Sequence, residues 1–285
     1  PAPAERTVPR PPHGAARPRF LIPVFPGTNC EYESARAVER AGGEAEVLVV
    51  RTLTPEAMKE SVDRFAARLS ASQALFLPGG FSNGDEPDGS GKFIAIFLRS
   101  PAARSAVEGL LEVRGGLILG VCNGFQALVR TGLLPFGRIV DPGELGEGAA
   151  VLTFNAIGRH QSKIVHSRVL SNRSPWLSRT RVGDVFAMPV SHGEGRFVCG
   201  EALLRRLAEA GQVATQYVDL QGSPTMDVQY NPNGSLAAVE GLLSPDGRIF
   251  GRMGHAERVG HGLYQNAGRT GGTMMFESAM DFLMG

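Results

Sequence analysis

Short apolar runs alternate with helix-period segments through the first half of the chain. "FLIPVF" (20–25), "EVLVV" (46–50), "ALFL" (74–77) and "GLILG" (116–120) are apolar without alternation and bounded by turn residues, which predicts buried strands. Between them, 31–41 predicts a helix with Tyr32, Ala35, Val38 and Ala41 three apart and Gly42 just past its end as a C-cap. A second helix is predicted from Thr54 as N-cap with Pro55 at its first position. A third spans 91–112, interrupted at Pro101. This alternation predicts an α/β fold, a flavodoxin-like, doubly wound and mostly parallel sheet with helices on both faces.

After about residue 133 the pattern changes. "VLTFNAIG", "SKIVHSRVL", "DVFAMPVSHGEG", "QVATQYVD" and "SLAAVEGLLSPDGRIFGRMGH" are shorter strand candidates, with "NPNGS" and "SPDG" as turns. These strands are expected to be partly antiparallel and to extend the same sheet. No internal repeat or low-complexity linker interrupts 20–285, so one domain is expected there. Residues 1–19, six of them proline, read as an extended linker from a longer polypeptide or as a disordered lead.

Composition narrows the function classes. Of the 285 residues 42% are hydrophobic and 20% charged, and the net charge of +1 offers no field for nucleic acid or an anionic membrane. No apolar run approaches the roughly 20 residues that span a bilayer, and the proline-rich start lacks the pattern of a secretory signal. Three widely spaced cysteines (Cys30, Cys122, Cys199) suggest reduced thiols and a cytoplasmic location. They form no C-x-x-C pair, so no metal site is expected.

One cysteine stands where the pattern switches from strand to helix. In "GLILGVCNGFQALV", Gly120 and Gly124 flank Cys122 in a G-x-C-x-G arrangement, the thiol counterpart of the G-x-S-x-G nucleophile elbow. A helix opening at Asn123 turns unpaired N–H groups and its dipole toward the sulfur, which favours a thiolate. The Asn123 N–H can also face an oxyanion. A thiolate nucleophile needs a base held by a third group. "GRMGHAER" offers His255 and Glu257, which in an extended segment would point to the same side. The glycine-rich "PGGFSNGDEPDG" (78–89) follows a strand and suits an oxyanion or carboxylate, but it is not a phosphate loop. "SHGEGRF" (191–197) follows an apolar run at a strand end, where sites often lie.

"FPGTNCEYE", "LPGGFSNGD", "GVCNGFQAL", "PVSHGEGRF", "YNPNGS" and "HAER" occur in one order that resembles the class I (triad) glutamine amidotransferases. Within that class the resemblance is to the glutaminase component of phosphoribosylformylglycinamidine synthase. "DEPDGSGKFIA" and "FNAIGRHQSK" look more like the versions fused to a long synthetase. The resemblance implies Cys122 as nucleophile, His255 as base and Glu257 as the residue orienting it. It further implies an oxyanion hole from the backbone of Gly80 and Asn123, and a glutamine pocket lined by Gln126, Ser191, His192 and Gly193. Arg159 and His160 fall in a stretch expected to approach the site. No cofactor is implied for this domain, ATP and magnesium being expected on a synthetase partner, whether in the same chain or a separate subunit. Stand-alone glutaminases commonly read "PHPER" where this chain has Gly254 and Ala256 around His255, which removes two φ constraints from the loop. Two other readings differ in kind: a flavodoxin-like cysteine protein of the PfpI type, and a degenerate glutaminase domain serving as a docking module.

Overall fold

Strands form where the chain is apolar without alternation, and the packing explains why. The computed structural model describes residues 8, 11–12, 14–81, 91–260, 263–264 and 274–285. β1 (Arg19–Val24), β2 (Glu44–Val49), β3 (Ala74–Leu77) and β4 (Leu117–Val121) are mutually parallel, ordered β2-β1-β3-β4. β3 and β4 are buried along their whole length because helices cover both faces. α2 (Pro55–Ser70), α3 (Lys92–Arg99), α4 (Pro101–Glu108) and α5 (Asn123–Thr131) belong to one side, where Phe25 and Phe65 both pack edge-on to Phe97 with ring centres 5.2 Å apart. α1 (Glu31–Arg40) and α8 (Met275–Met284) belong to the other, where Phe76 of β3 meets Phe276 at 5.7 Å.

The second half of the chain adds β5 (Val151–Phe154), β6 (Gln161–Val169), β7 (Val185–His192), β8 (Glu194–Val198), β9 (Val213–Val218), β10 (Val239–Leu243) and β11 (Ile249–Arg252). Two short helices belong to this half, α6 (Leu133–Phe136) ahead of β5 and α7 (Glu201–Glu209) between β8 and β9. The main sheet has nine strands in the order β2-β1-β3-β4-β11-β10-β9-β6-β7. It is parallel as far as β11 and antiparallel from β11 to β7. This is the doubly wound α/β architecture expected from the alternation.

Local expectations met different fates. Thr54 caps α2 as read, its Oγ1 accepting the Ala57 N–H at 3.1 Å. The third helix breaks at Pro101 into α3 and α4 and ends in a wider turn over Gly109–Val113. Three expectations need correction. β2 is an edge strand, so Val47 and Val49 are exposed rather than buried. The inner face of α1 is Ser34, Ala37 and Val38, and Tyr32 is 68% exposed. A spacing of three drifts about 60° per step around a 3.6-residue helix, so four such positions cannot share one face. Finally, β5 and β8 do not join the main sheet but pair with each other as a separate two-stranded ribbon.

Ahead of β1, Val8 packs against the core and the Ala15 N–H donates to the Leu283 carbonyl at the end of α8. No helix among the described residues is long and apolar enough to cross a membrane.

Candidate active site

β4 stops at Val121 and α5 starts at Asn123, leaving Cys122 alone at the turn with φ 52° and ψ −107°. A non-glycine residue rarely adopts such a conformation, which costs on the order of 1–3 kcal/mol and persists only where its surroundings impose it. Here the Cys122 N–H donates to the Arg252 carbonyl at 2.8 Å, and the Cys122 carbonyl accepts the Gln126 N–H at 3.1 Å. The flanking glycines permit the turn. A Cβ on Gly124 would stand 2.0 Å from the Leu77 carbonyl oxygen, and one on Gly120 would stand 2.8 Å from the Gly124 backbone. Cys122 is buried, its Sγ 3.8 Å from the Ser191 carbonyl oxygen.

The sheet brings the histidine to this cysteine. β11 lies beside β4 in parallel, with Arg252 opposite Val121, so both strands release their chains at the same edge. His255 emerges three residues past β11. Its Nδ1 is 2.6 Å from Glu257 Oε1, and both side chains are buried. The pair forms for a different reason than extended spacing suggests: Ala256–Arg258 makes a single tight helical turn from which Glu257 reaches back. Burial works against a charged His255. The Glu257 carboxylate and hydrogen bonds with Cys122, Cys30 and Glu257 outweigh it and hold the imidazole well above its ordinary range.

The loop carrying His255 is anchored without prolines. The Gly254 N–H donates to Glu240 Oε1 at 2.8 Å and the His255 N–H to the Pro189 carbonyl at 2.9 Å. Proline at 254 would forfeit the first bond, and even a Cβ there would meet Met188 Sδ at 2.3 Å. Glu240 belongs to a fully buried pair with Arg252 at 2.8 Å and also accepts from Ser167 and Thr215. Burial alone would raise the Glu240 carboxyl. Arg252, Thr215 and the Gly254 N–H reverse that and hold it below its usual range. Arg252 and Glu240 thus tie the elbow, through the Arg252 carbonyl, to the histidine loop, through Gly254. Sequence reading passed over both, although a lone acid in "AAVEGLL" and a lone arginine in "IFGRMG" signal charges inside buried strands.

Gly79 and Gly80 lie on the other side of the cysteine. Gly80 has φ +134° and faces Thr28 in a bridge whose hydrogen bonds come from its neighbours, Phe81 N–H to Gly27 and Asn29 N–H to Gly79. The Gly80 N–H is therefore directed away from that strand. The remainder of the glycine-rich loop, 82–89, lies outside the described residues. A Cβ on Gly79 would stand 2.6 Å from His255 Cε1, 3.3 Å from Cys30 Sγ and 3.4 Å from Cys122 Cβ. Gly79→Ala is accordingly expected to push the imidazole aside. Turnover at this site should fall by roughly 100-fold, and overpacking should cost about 1–3 kcal/mol. Steady-state kinetics beside denaturant unfolding would check both, and unchanged turnover would refute the steric argument.

"SHGEG" spans the junction of β7 and β8. β7 stands four strands from β11 in sheet order, yet Pro189 bonds His255, so the antiparallel half curls back over the site. Ser191 Oγ lies 3.0 Å from His160 Nε2, and His160 packs near Phe81. His192 turns inward to Asn155, 3.1 Å from its Oδ1, and burial, with His255 and His160 nearby, lowers it to about 3. It is thus neutral across the working pH range. The Gly193 carbonyl accepts the Asn155 N–H. Gln126 is engaged at both ends, donating to the Glu194 carbonyl at 2.7 Å and accepting from Asn123 Nδ2 at 3.1 Å. Asn155, also missed, clamps this turn through bonds to the Arg159 and His192 carbonyls. Its only signal was its place in "FNAIGRHQSK". The histidines His13 and His261 lie outside the described residues.

A cysteine on a strained elbow facing a buried His–Glu pair defines a class, and comparison with known proteins agrees. Residues 17–283 match the CobB/CobQ-like glutamine amidotransferase domain, and the chain belongs to that family of enzymes. Among its relatives, phosphoribosylformylglycinamidine synthase subunit PurQ of Rhodospirillum rubrum is 35% identical over 268 residues, 92% of this chain and 98% of the relative. The same subunit from Aquifex aeolicus is 33% identical over 243 residues, 85% of this chain and 91% of the relative. The structure of PurLQS from Thermotoga maritima aligns with a TM-score of 0.65 at 26% identity, covering 94% of this chain and 99% of that one. The glutaminase domain of Trypanosoma brucei CTPS shares the fold, with a TM-score of 0.51 at 14% identity over 92% of this chain and 93% of that domain.

Proposed function

We propose that this enzyme hydrolyses L-glutamine through Cys122 and passes the ammonia to a synthetase partner that converts formylglycinamide ribonucleotide to its amidine, in purine biosynthesis. The observation that carries the reading is the meeting of Cys122 with the buried His255–Glu257 pair at the adjoining ends of β4 and β11. The acceptor and the partner rest on the relatives, which are named as subunits of phosphoribosylformylglycinamidine synthase.

The reaction follows from the placement of the groups. The Cys122 thiolate, its proton held by His255, adds to the side-chain amide carbon of glutamine. Negative charge gathers on the former carbonyl oxygen, which faces the N–H groups of Asn123 and Gly80. Each such donor is worth roughly 3–4 kcal/mol in the transition state. His255 then gives its proton to the nitrogen as the C–N bond breaks, releasing ammonia and leaving a γ-glutamyl thioester. A water loses a proton to His255, its oxygen attacks the thioester, and the C–S bond breaks to yield glutamate. Glu257 fixes the imidazole with its Nδ1 proton inward and stabilises its charged form. Ammonia is protonated in bulk water and so needs a sheltered route. Nucleotide and magnesium chemistry would belong to the partner.

A glutamine-derived chloroketone is expected to alkylate Cys122 alone and to be blocked by excess glutamine. Peptide mass mapping reads the site. Modification spread equally over Cys30, Cys122 and Cys199, or indifferent to glutamine, would refute a glutamine pocket at this cysteine.

A further inference from the structure

Cys30 is a buried thiol that the proposed reaction does not use. It stands just before α1, and its Sγ lies 3.9 Å from His255 Nδ1, the nitrogen that also faces Glu257. Ligand atoms of Cys30, His255 and Glu257 all lie within 4.8 Å of one another, and all three residues are buried. Glu257 spends Oε1 on the imidazole, while its Oε2 is buried with no hydrogen-bond partner among the described residues. A buried carboxylate oxygen without a donor is costly, and it leaves lone pairs available to a cation.

We propose that Cys30, His255 and Glu257 form an inhibitory binding site for a thiophilic divalent cation of the zinc class. This inference rests on the glutaminase reading of the same histidine. The donor set of one sulfur, one imidazole nitrogen and one carboxylate oxygen suits Zn²⁺, whose bonds to such atoms run about 2.0–2.3 Å. Tetrahedral bonds of that length place ligand atoms roughly 3.3–3.8 Å apart. The sulfur and nitrogen already stand at 3.9 Å. The nitrogen and Oε1, at 2.6 Å, must separate, which breaks the His–Glu hydrogen bond.

Binding releases two protons to solvent, one from Cys30 Sγ and one from His255 Nδ1. The metal-bound imidazole keeps a proton on Nε2 and cannot accept another, so Cys122 and the hydrolytic water lose their base. The expectation that no metal site exists rested on the missing C-x-x-C pair, a test of local spacing only. Here the thiol and the imidazole come from positions 225 residues apart.

The test titrates the full-length protein with Zn²⁺ against a chromophoric chelator and follows glutamine turnover by the assembled enzyme. One zinc per chain is expected, with turnover falling in step and returning on addition of EDTA. Cys30→Ser, whose hydroxyl replaces a thiol in weak contact with His255 Nδ1, should retain measurable though reduced glutamine turnover in zinc-free buffer and resist inhibition. Its zinc affinity should fall by at least the roughly 10–100-fold that loss of an outer partner already costs. Cys199→Ser should bind as the parent does. Co²⁺ should give a sulfur-to-metal absorption band in the parent protein that Cys30→Ser and Cys30→Ala both lack. Absence of binding by the parent, or parental zinc affinity in the Cys30 variants, overturns the site. A parent that binds zinc but fails to use glutamine without it would count against the glutaminase reading alone.

Discussion

Cys122→Ala is expected to abolish glutamine-dependent synthesis by the assembled enzyme, by roughly 10⁴-fold or more, while synthesis from added ammonia continues. The structure makes this a clean substitution. Alanine keeps the Cβ and therefore the same strained φ of 52°, and the bonds that hold the turn, to the Arg252 carbonyl and from the Gln126 N–H, are backbone bonds. Only the sulfur is lost. Stability should change little, which unfolding of the two proteins would check. Glutamine-dependent and ammonia-dependent rates measured side by side separate chemistry from architecture. An equal fall in both would mean that Cys122 supports the assembly rather than attacks glutamine.

Glu257→Gln is expected to lower glutamine turnover by about 10³–10⁴-fold, the scale found when a buried carboxylate behind a catalytic histidine is neutralised. The geometry is nearly isosteric, so the loss is electrostatic and tautomeric. An amide can present its NH₂ to Nδ1 and reverse the imidazole's proton placement. The charge that offsets burial of His255 disappears as well, so its pKa should drop. A histidine raised on folding contributes stability that is complete below its unfolded value, about 6.5, and lost as pH rises through the folded value. The stability gap between parent and variant should therefore be widest below about pH 6.5 and narrow at higher pH. Denaturant unfolding across that range reads it. A gap that widened with pH would mean that Glu257 does not hold the charge on His255.

Legibility in the sequence followed the range of the interactions. Caps and breaks such as Thr54, Pro101 and Gly42 involve neighbours a few residues away, and they were readable. The elbow was readable from its five-residue spacing, in which Gly120 gives way to the backbone of Gly124, although the carbonyl that Gly124 itself gives way to belongs to Leu77, far along the chain. Exposure was read less well. β2 has the composition of a central strand, yet nothing in "EVLVV" says that no strand will pair beyond it. The His255–Glu257 pair was identified by residue type and resemblance, while the turn that makes it was not foreseen.

By itself the sequence determined the elements, the strand-to-helix turn that carries a cysteine, and the family, because each is written in short-range spacing. Only the tertiary structure decided which distant residues stand around that cysteine. Pairing of β4 with β11 sets the thiol beside the histidine, and the curled antiparallel half returns Ser191 and Pro189 over them. The Arg252–Glu240 pair and Cys30 enter the same space from strands and turns far along the chain. Strand order is settled by competition among buried surfaces over the whole domain, and no local pattern of side chains records it.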